Sequence, residues 1–133
     1  MKKSILIIIF ILLTVSSYAG KYSTTVNAAD EYGNTPLSTA IYNENLDMIK
    51  LLLNNKMDPN TVTDEYYGTT LFMWAISRDD NELAKLLIKK GANVNSLNYQ
   101  NLSVLGYTQN TETIKFLLNN GLDPNATDGN GNT

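Results

Sequence analysis

Apolar residues recur along this chain in three similar stretches, and their spacing predicts helices that each bury one face. In the first stretch, Met48 and Ile49 are followed four positions later by Leu52 and Leu53. The same spacing returns at residues 83–88 and, with one threonine, at residues 113–118. Side chains at these positions share one side of a helix, so each helix needs a neighbouring element to pack against.

These stretches belong to a longer unit that repeats with a period of about 35 residues. The segments that align are 33–40 with 68–75 (GNTPLSTA with GTTLFMWA), then 49–60 with 84–95 and, 30 residues further on, with 114–125. Thr35 and Pro36 predict the start of a first helix, because a hydroxyl caps backbone N–H groups and proline fits the first helical position. Gly91 and Gly121 predict the end of the second helix in the later units, where the first unit has Lys56. Each unit should be turn, helix, short turn, helix and loop, and should be stable only when stacked.

These units resemble the ankyrin repeat. The residues that match the opening of the family's pattern are Asp30, Gly33, Thr35, Pro36, Leu37 and Ala40, and those that match its close are Gly91, Ala92, Asn93, Val94 and Asn95. The resemblance covers about residues 26–133 and implies an all-α solenoid of about three ankyrin-type helix-turn-helix repeats with short β-hairpin-like loops. The family usually carries histidine after Thr-Pro-Leu, whereas this chain has Ser38, Met73 and Gly106 there, which predicts less rigid turns.

The resemblance divides the chain into repeats of unequal length. The predicted segments are a repeat-like tail at 20–29, repeat 1 at 30–63, repeat 2 at 64–96, a shortened repeat 3 at 97–126, and the start of a truncated fourth repeat at 127–133. The third repeat is shortened because Thr108 to Glu112 is three residues shorter than Ala40 to Asp47. Since stacked repeats generally need a polar cap, we expect a truncated reading frame or fragment, or else a partner that covers the third repeat.

The N-terminus has the pattern of a secretory signal peptide at residues 1–19. Two lysines precede an uncharged run of twelve residues, Ser4 to Val15, which is shorter than the roughly 20 apolar residues of a membrane-spanning helix. Small residues then lead to a cleavage site after Ala19. This predicts a bacterial protein that is periplasmic or secreted, with no stable membrane insertion after cleavage; the alternative is an anchor formed by an uncleaved signal. No cysteine is present, so a lipid-modified N-terminus and disulfides are excluded.

Charge and residue types exclude several classes of function. Without the two lysines of the signal, eight basic residues stand against thirteen acidic ones, a formal net charge of −5 with no basic stripe, so we predict no nucleic-acid partner. With no histidine or cysteine, Ser-His and Cys-His nucleophile pairs and the usual zinc clusters are excluded. The carboxylate pairs at 64–65 and 79–80 lie in predicted turns, where solvation is ordinary, and the tail at 128–133 lacks the bidentate glutamate of a calcium loop. We therefore predict no enzymatic activity and no catalytic, cofactor or metal site.

The resemblance implies a protein-binding surface made of the hairpin tips and the exposed face of the first helices. Several of these positions carry tyrosine, which offers a large rigid contact area with a polar tip. The predicted partner-binding residues are Glu31, Tyr32, Asn34, Tyr66, Tyr67, Thr69, Tyr99 and Gln100 at the tips, and Tyr42, Asn43, Ser77 and Arg78 on the first helices. The alternative is that the tyrosines stack along the hairpins and stiffen the array. Trp74 lies within an apolar run and is predicted to pack in the core.

Together these features predict an exported protein-protein interaction module that binds an unidentified protein through hairpin tips and a concave helical face. The alternative is a structural or assembly segment of a longer repeat array. In that case the third repeat, which has no polar cap in this sequence, would stack on further repeats.

Overall fold

A hydroxyl side chain begins the first helix of the first two units in the computed structural model, which describes residues 28–125. Thr35 accepts the Ser38 N–H at 3.0 Å, and Thr70 accepts the Met73 N–H at 3.2 Å. Ser38 Oγ also accepts the Thr35 N–H at 2.8 Å and donates to the Thr35 carbonyl at 2.9 Å. In the first unit serine therefore supplies the turn with hydrogen bonds at the position where the family carries histidine. The helices that follow these caps are α1 (Pro36–Tyr42) and α3 (Leu71–Ser77).

The second helix of each unit begins at an asparagine or aspartate cap and is followed by a left-handed residue. Those residues are Lys56 (φ 69°), Gly91 (φ 100°) and Gly121 (φ 90°). The first unit thus turns the chain as the other two do, although a side chain in this conformation costs about 1–2 kcal/mol relative to the ordinary backbone. The three helices are α2 (Leu46–Asn54), α4 (Asn81–Lys89) and α5 (Thr111–Asn119), and their N-caps are Asn45, Asp80 and Asn110.

The third unit has a single 3-10 turn in place of a first helix. Ser103 accepts the Leu105 N–H at 3.3 Å and begins a 3-10 helix at Val104–Tyr107. A loop of three residues then leads to α5. The third unit is therefore shorter because its first helix is shorter, while its second helix keeps nine residues.

One strand pair lies among residues 28–125, between the first two units. Strand β1 (Val62–Asp64) pairs antiparallel with β2 (Thr69–Thr70). The register joins Val62 to Thr70 and Asp64 to Thr69, so one strand has an extra residue between the two pairs. Such a bulge increases the local twist and turns the hairpin tip.

The predicted apolar faces of the second helices form the core. Their buried residues are Ile49, Leu52, Leu53, Leu83, Ala84, Leu87 and Leu117, and α3 adds Leu71, Phe72, Met73, Ala75 and Ile76. Trp74 is only partly buried and packs against the edge of this core. Trp74 therefore lies at the edge of the core and not within it, and Arg78 lies over its ring.

Asparagine side chains join successive units at corresponding positions. Asn60 accepts the Asn93 N–H at 2.8 Å and donates to the Gly91 carbonyl at 3.3 Å. Asn95 repeats this pattern, accepting the Asp123 N–H at 2.8 Å and donating to the carbonyl of the left-handed glycine of the third unit at 2.9 Å. Each bridge ties one loop to the turn that ends the next unit's helix, and so helps to fix the spacing between units.

The five helices and short strand pair of the described part confirm the predicted helical repeat solenoid with hairpin-like loops. No helix within residues 28–125 is long and apolar enough to cross a membrane. The predicted signal peptide (1–19), most of the repeat-like tail (20–29) and the start of a fourth repeat (127–133) lie outside the described residues.

Candidate protein-binding surface

The first hairpin tip is organised by Asp30. One carboxylate oxygen accepts the N–H groups of Tyr32 (2.9 Å) and Asn34 (2.8 Å), and the other accepts the Asn34 side-chain amide (3.1 Å). These hydrogen bonds, chiefly the one from the Asn34 side chain, hold the pKa of Asp30 below its ordinary value. The turn leaves the Tyr32 side chain 81% exposed, whereas the predicted binding residue Asn34 is engaged with the turn itself.

The second tip repeats this design with one more residue. Asp64 accepts the Tyr66 N–H at 2.8 Å, and the ring of Tyr66 is 82% exposed. Tyr67 is 45% exposed, and its ring meets the Tyr66 ring edge to face with a centroid distance of 4.8 Å. Thr69 is half-buried, and its hydroxyl lies 3.3 Å from the Tyr107 hydroxyl, so its side chain contacts the third unit.

The third tip is built on a buried asparagine. Asn98 accepts the N–H groups of Gln100 and Leu102, both at 2.9 Å, and its amide donates to the Tyr107 hydroxyl at 2.9 Å. Gln100 is exposed and Tyr99 is 67% exposed. Asparagine thus takes the place that aspartate holds in the first two tips.

The second and third tips are in direct contact. The Tyr99 N–H donates to the Tyr67 carbonyl at 2.9 Å, and the Tyr99 ring lies against the backbone of Gly68. A Cβ on Gly68 would stand only 2.6 Å from the Tyr99 Cγ, which is closer than side chains approach. Among the described residues, ring-to-ring stacking joins Tyr66 to Tyr67 within one tip, and the contact between the second and third tips is made by the Tyr99 backbone and by its ring on Gly68.

We call the exposed residues of the three tips the tip surface. They share high exposure, an aromatic or polar side chain, and a place just before the residue that ends each turn. The tip surface consists of Glu31, Tyr32, Glu65, Tyr66, Tyr67, Tyr99 and Gln100. Glu65 was not among the predicted binding residues, although its place beside Tyr66 could have indicated it.

The predicted first-helix residues differ in how far they are engaged. Tyr42 is 89% exposed. The Asn43 amide donates to the Thr39 carbonyl at 2.8 Å, and the Ser77 hydroxyl donates to the Trp74 carbonyl at 2.7 Å. Asn43 and Ser77 therefore terminate their own helices, and of these three residues Tyr42 offers the largest contact area.

Arg78 is the centre of a cluster that sequence reasoning found only in part. Its guanidinium is 3.0 Å from the Glu44 carboxylate and 5.2 Å from the centre of the Trp74 ring. The two partners were missed, although Trp74 stands one helical turn before Arg78, a spacing that brings side chains together. Glu44 belongs to the preceding unit, so this cluster joins the first two units on their exposed side.

Three of the four carboxylates in the pairs at 64–65 and 79–80 accept hydrogen bonds in turns, caps or contacts between units, whereas Glu65 is exposed. Asp79 accepts the hydroxyls of Thr113 (2.8 Å) and Thr108 (3.1 Å), which ties the second unit to the third. The Thr113 hydrogen bond is the main reason that the pKa of Asp79 is below its ordinary value. Asp80 caps α4 by accepting the Leu83 N–H at 2.9 Å. Within residues 28–125, no group of three or more carboxylates is placed to hold a metal ion.

Charge is unevenly distributed between the tips and the second helices. Segments 28–49, 57–77 and 91–114 contain no lysine or arginine. Apart from Arg78, the basic residues of the described part lie in the second helices or just after them. These residues are Lys50, Lys56, Lys85, Lys89, Lys90 and Lys115. The first two tips are therefore acidic, the third tip (residues 98–101) has no charged side chain, and most of the basic residues lie on the second helices.

Comparison with known proteins agrees with the repeat pattern seen in the sequence and the fold. The family model described as ankyrin repeats (three copies) matches residues 7–98 and 60–128. One ankyrin repeat protein of Acanthamoeba polyphaga mimivirus is 33% identical over 85 residues, which cover 64% of this chain and 22% of the relative. Another from the same virus is 33% identical over an alignment of 136 positions, gaps included, that covers 81% of this chain and 23% of the relative. An ankyrin repeat protein of Fowlpox virus (strain NVSL) is 34% identical over 88 residues, or 65% of this chain and 12% of the relative. The chain thus spans less than a quarter of the length of these relatives.

Proposed function

This chain belongs to the ankyrin repeat family, and from that premise we propose that it is a protein-protein interaction module whose tip surface and concave helical face bind an unidentified protein. Ankyrin repeats are generally non-catalytic scaffolds that bind other proteins, and the proposal extends that role to this chain without enzymatic activity. The observation that carries it is the exposure of Tyr32, Tyr66 and Tyr99, at 81%, 82% and 67%. Tyrosine is enriched among the residues that contribute most to protein-protein binding, because its ring offers contact area and its hydroxyl a hydrogen bond.

The turns that carry the tyrosines are also ordered before binding. Asp30 and Asp64 fix the turns that carry Tyr32 and Tyr66, and Tyr99 is tied to the second tip by its N–H and its ring. A preordered tip loses less conformational entropy on binding, so more of the contact energy is retained as affinity. Tyrosine adds to this advantage, because it has only two side-chain torsions to restrict.

The test is a selection of binders from a library of displayed peptides, using the full chain as bait. Each binder is then measured against a variant with Tyr32→Ser and Tyr66→Ser, and against Asn54→Ser with Lys89→Ser as a control, because Asn54 and Lys89 are exposed residues of the second helices, outside the tips. We expect binders that lose at least about tenfold in affinity on the tyrosine variant and little on the control. Binders that treat the two variants alike would refute the assignment of the surface.

We also propose that the protein is exported by a signal peptide cleaved after Ala19. The short uncharged run from Ser4 to Val15 and the small residues that follow it support this proposal. The two-lysine start supports a bacterial host for this export, whereas the relatives described above are viral proteins. Mass spectrometry of the protein expressed in a bacterium should find a mature N-terminus at Gly20 in the periplasmic or secreted fraction. An intact N-terminus in the membrane fraction would favour the anchored alternative.

A second candidate function is assembly through the outer face of the third unit. Leu53 is 1% exposed where the second unit covers the first, whereas the corresponding Leu118 is 43% exposed. Asn125 also occupies the position from which Asn60 and Asn95 bridge to the next unit. Light scattering tests this: assembly that grows with concentration and is lost on Leu118→Ser would support stacking. The matched control is a serine at the equally exposed Leu97, and a monomer at every concentration would count against the idea.

A further inference from the structure

We propose that the tip surface selects a cationic segment of its protein partner, one that presents arginine or lysine side chains to the tyrosines. The inference rests on the proposed function, because it names the chemistry of the partner that the tips would bind. The exposed rings supply the contact area, and the charges around them decide what can occupy it.

Carboxylates lie beside the exposed tyrosines of the first two tips. Glu31 and Glu65 are exposed beside Tyr32 and Tyr66, and the nearby Asp30 and Asp64 add two further carboxylates. The ion pairs among residues 28–125 all lie outside the tips, so Glu31 and Glu65 have no cation within 4.0 Å in this part of the chain. A partner with positive charge would gain from these carboxylates, whereas a negatively charged one would be repelled.

The chain already contains one cation that is held by an aromatic ring and a carboxylate together. Arg78 lies 5.2 Å from the centre of the Trp74 ring and 3.0 Å from the Glu44 carboxylate, so one guanidinium is held by a ring and an acid together. At the first two tips a tyrosine ring and a glutamate stand next to each other in sequence, without the guanidinium. A cation over an aromatic ring is attracted by the negative face of the ring, and a carboxylate nearby strengthens that preference.

Other occupants gain less from this surface. A purely apolar segment over Tyr32 or Tyr66 would gain nothing from the adjacent glutamates, because it offers them no charged or polar partner. Nucleic acids and phosphorylated peptides would meet a surface with no lysine or arginine in the segments 28–49 and 57–77. A lysine- or arginine-bearing segment is the occupant that satisfies both the rings and the acids.

The test uses fluorescence anisotropy with three labelled peptides of equal length and alternating sequence: arginine with serine, asparagine with serine, and glutamate with serine. The arginine peptide should bind the full chain at least about tenfold more tightly than the other two, and added salt should weaken it. Glu31→Gln with Glu65→Gln should weaken it by about tenfold, since two exposed ion pairs are lost. Tyr32→Ala with Tyr66→Ala should weaken it by roughly fivefold.

The control variant removes the same charge elsewhere, by Asp47→Asn with Glu112→Gln on the second helices, and should change the affinity less than about twofold. An equal loss on this control would mean general attraction to an acidic protein and would overturn the inference. So would equal binding of the arginine and asparagine peptides. Tyrosine-dependent library binders that carry no positive charge would also overturn it while leaving the proposed function intact. Library binders that ignore the tyrosine change would instead reject the proposed function itself.

Discussion

The close contact between Gly68 and Tyr99 gives a sharp test of how the tips are held together. Gly33 and Gly68 occupy corresponding turns and share a left-handed backbone, with φ of 82° and 69°. A Cβ built on Gly33 has no atom within 4 Å, whereas one on Gly68 would collide with the Tyr99 ring. Replacing each glycine by alanine therefore applies the same backbone penalty in both turns and a steric one in the second turn only.

The magnitudes follow from this difference. Alanine in a left-handed conformation costs about 1–2 kcal/mol, and this is the whole expected effect of Gly33→Ala. In Gly68→Ala the new methyl also stands 2.6 Å from the Tyr99 Cγ, an atom so close to the backbone that the whole ring must rotate about its first torsion. Overpacking of this kind adds about 1–3 kcal/mol, and because the ring is 67% exposed we expect the lower end of that range.

The free energy of unfolding of both variants is measured by urea unfolding, followed by circular dichroism. A change in the urea midpoint reports a change in stability if the dependence of this free energy on urea concentration is the same in both variants. We expect Gly68→Ala to be the more destabilised by about 1 kcal/mol, and Tyr99→Ala to remove the excess, so that the two glycine variants cost the same in that background. Equal destabilisation of the two single variants would refute the docking of Tyr99 on Gly68. A difference that persists without the Tyr99 ring would place its cause elsewhere in the turn.

Three further predictions test the connections between units and the turns. Asn60→Ala should lower the free energy of unfolding by about 1–2 kcal/mol, because two hydrogen bonds to the next unit are lost, and urea unfolding will measure it. Lys56→Gly should raise it by about 1 kcal/mol by relieving a left-handed lysine, and a fall in the urea midpoint would contradict this. Asp79 has a lowered pKa, so its contribution is complete above the ordinary value of 3.8 and is lost as pH falls through the folded value. Asp79→Asn should therefore unfold with a weaker dependence on pH below 3.8 than the parent chain, whereas an unchanged profile would mean that the hydrogen bond from Thr113 does not hold the charged form.

The helices could be predicted from sequence because their signals are local. Thr35 and Pro36 act within one turn, and the apolar spacing of Ile49, Leu52 and Leu53 requires no knowledge of the neighbouring unit. The left-handed end of α2 was less evident, since Lys56 adopts a conformation that the other units give to glycine. The turn at the end of α2 thus keeps the conformation of the other units although its residue does not favour it.

The polar contacts between units could not be predicted from local sequence patterns. Glu44 and Arg78 are far apart in the chain, and their ion pair depends on how one unit stacks on the next. Tyr67 and Tyr99 were assigned to binding or stacking as a group, but only the fold shows that the backbone of Tyr99 is bonded to that of Tyr67. Sequence placed the tyrosines at the tips correctly, and packing decides which of them also hold neighbouring tips together.

Polar contacts add direction to the apolar packing that holds the third unit against the second. The 3-10 turn of the third unit buries Val104 completely, and α5 buries Leu117, so the shortened unit still shares the core. In addition, Asp79 holds two threonines of the third unit, and the Tyr107 hydroxyl connects Asn98 to Thr69. Hydrogen bonds are directional, so these contacts favour one orientation of the third unit over others with similar apolar burial. The hydrogen bond from the Tyr99 N–H to the Tyr67 carbonyl belongs to the same set, and it places Tyr99 beside the second tip.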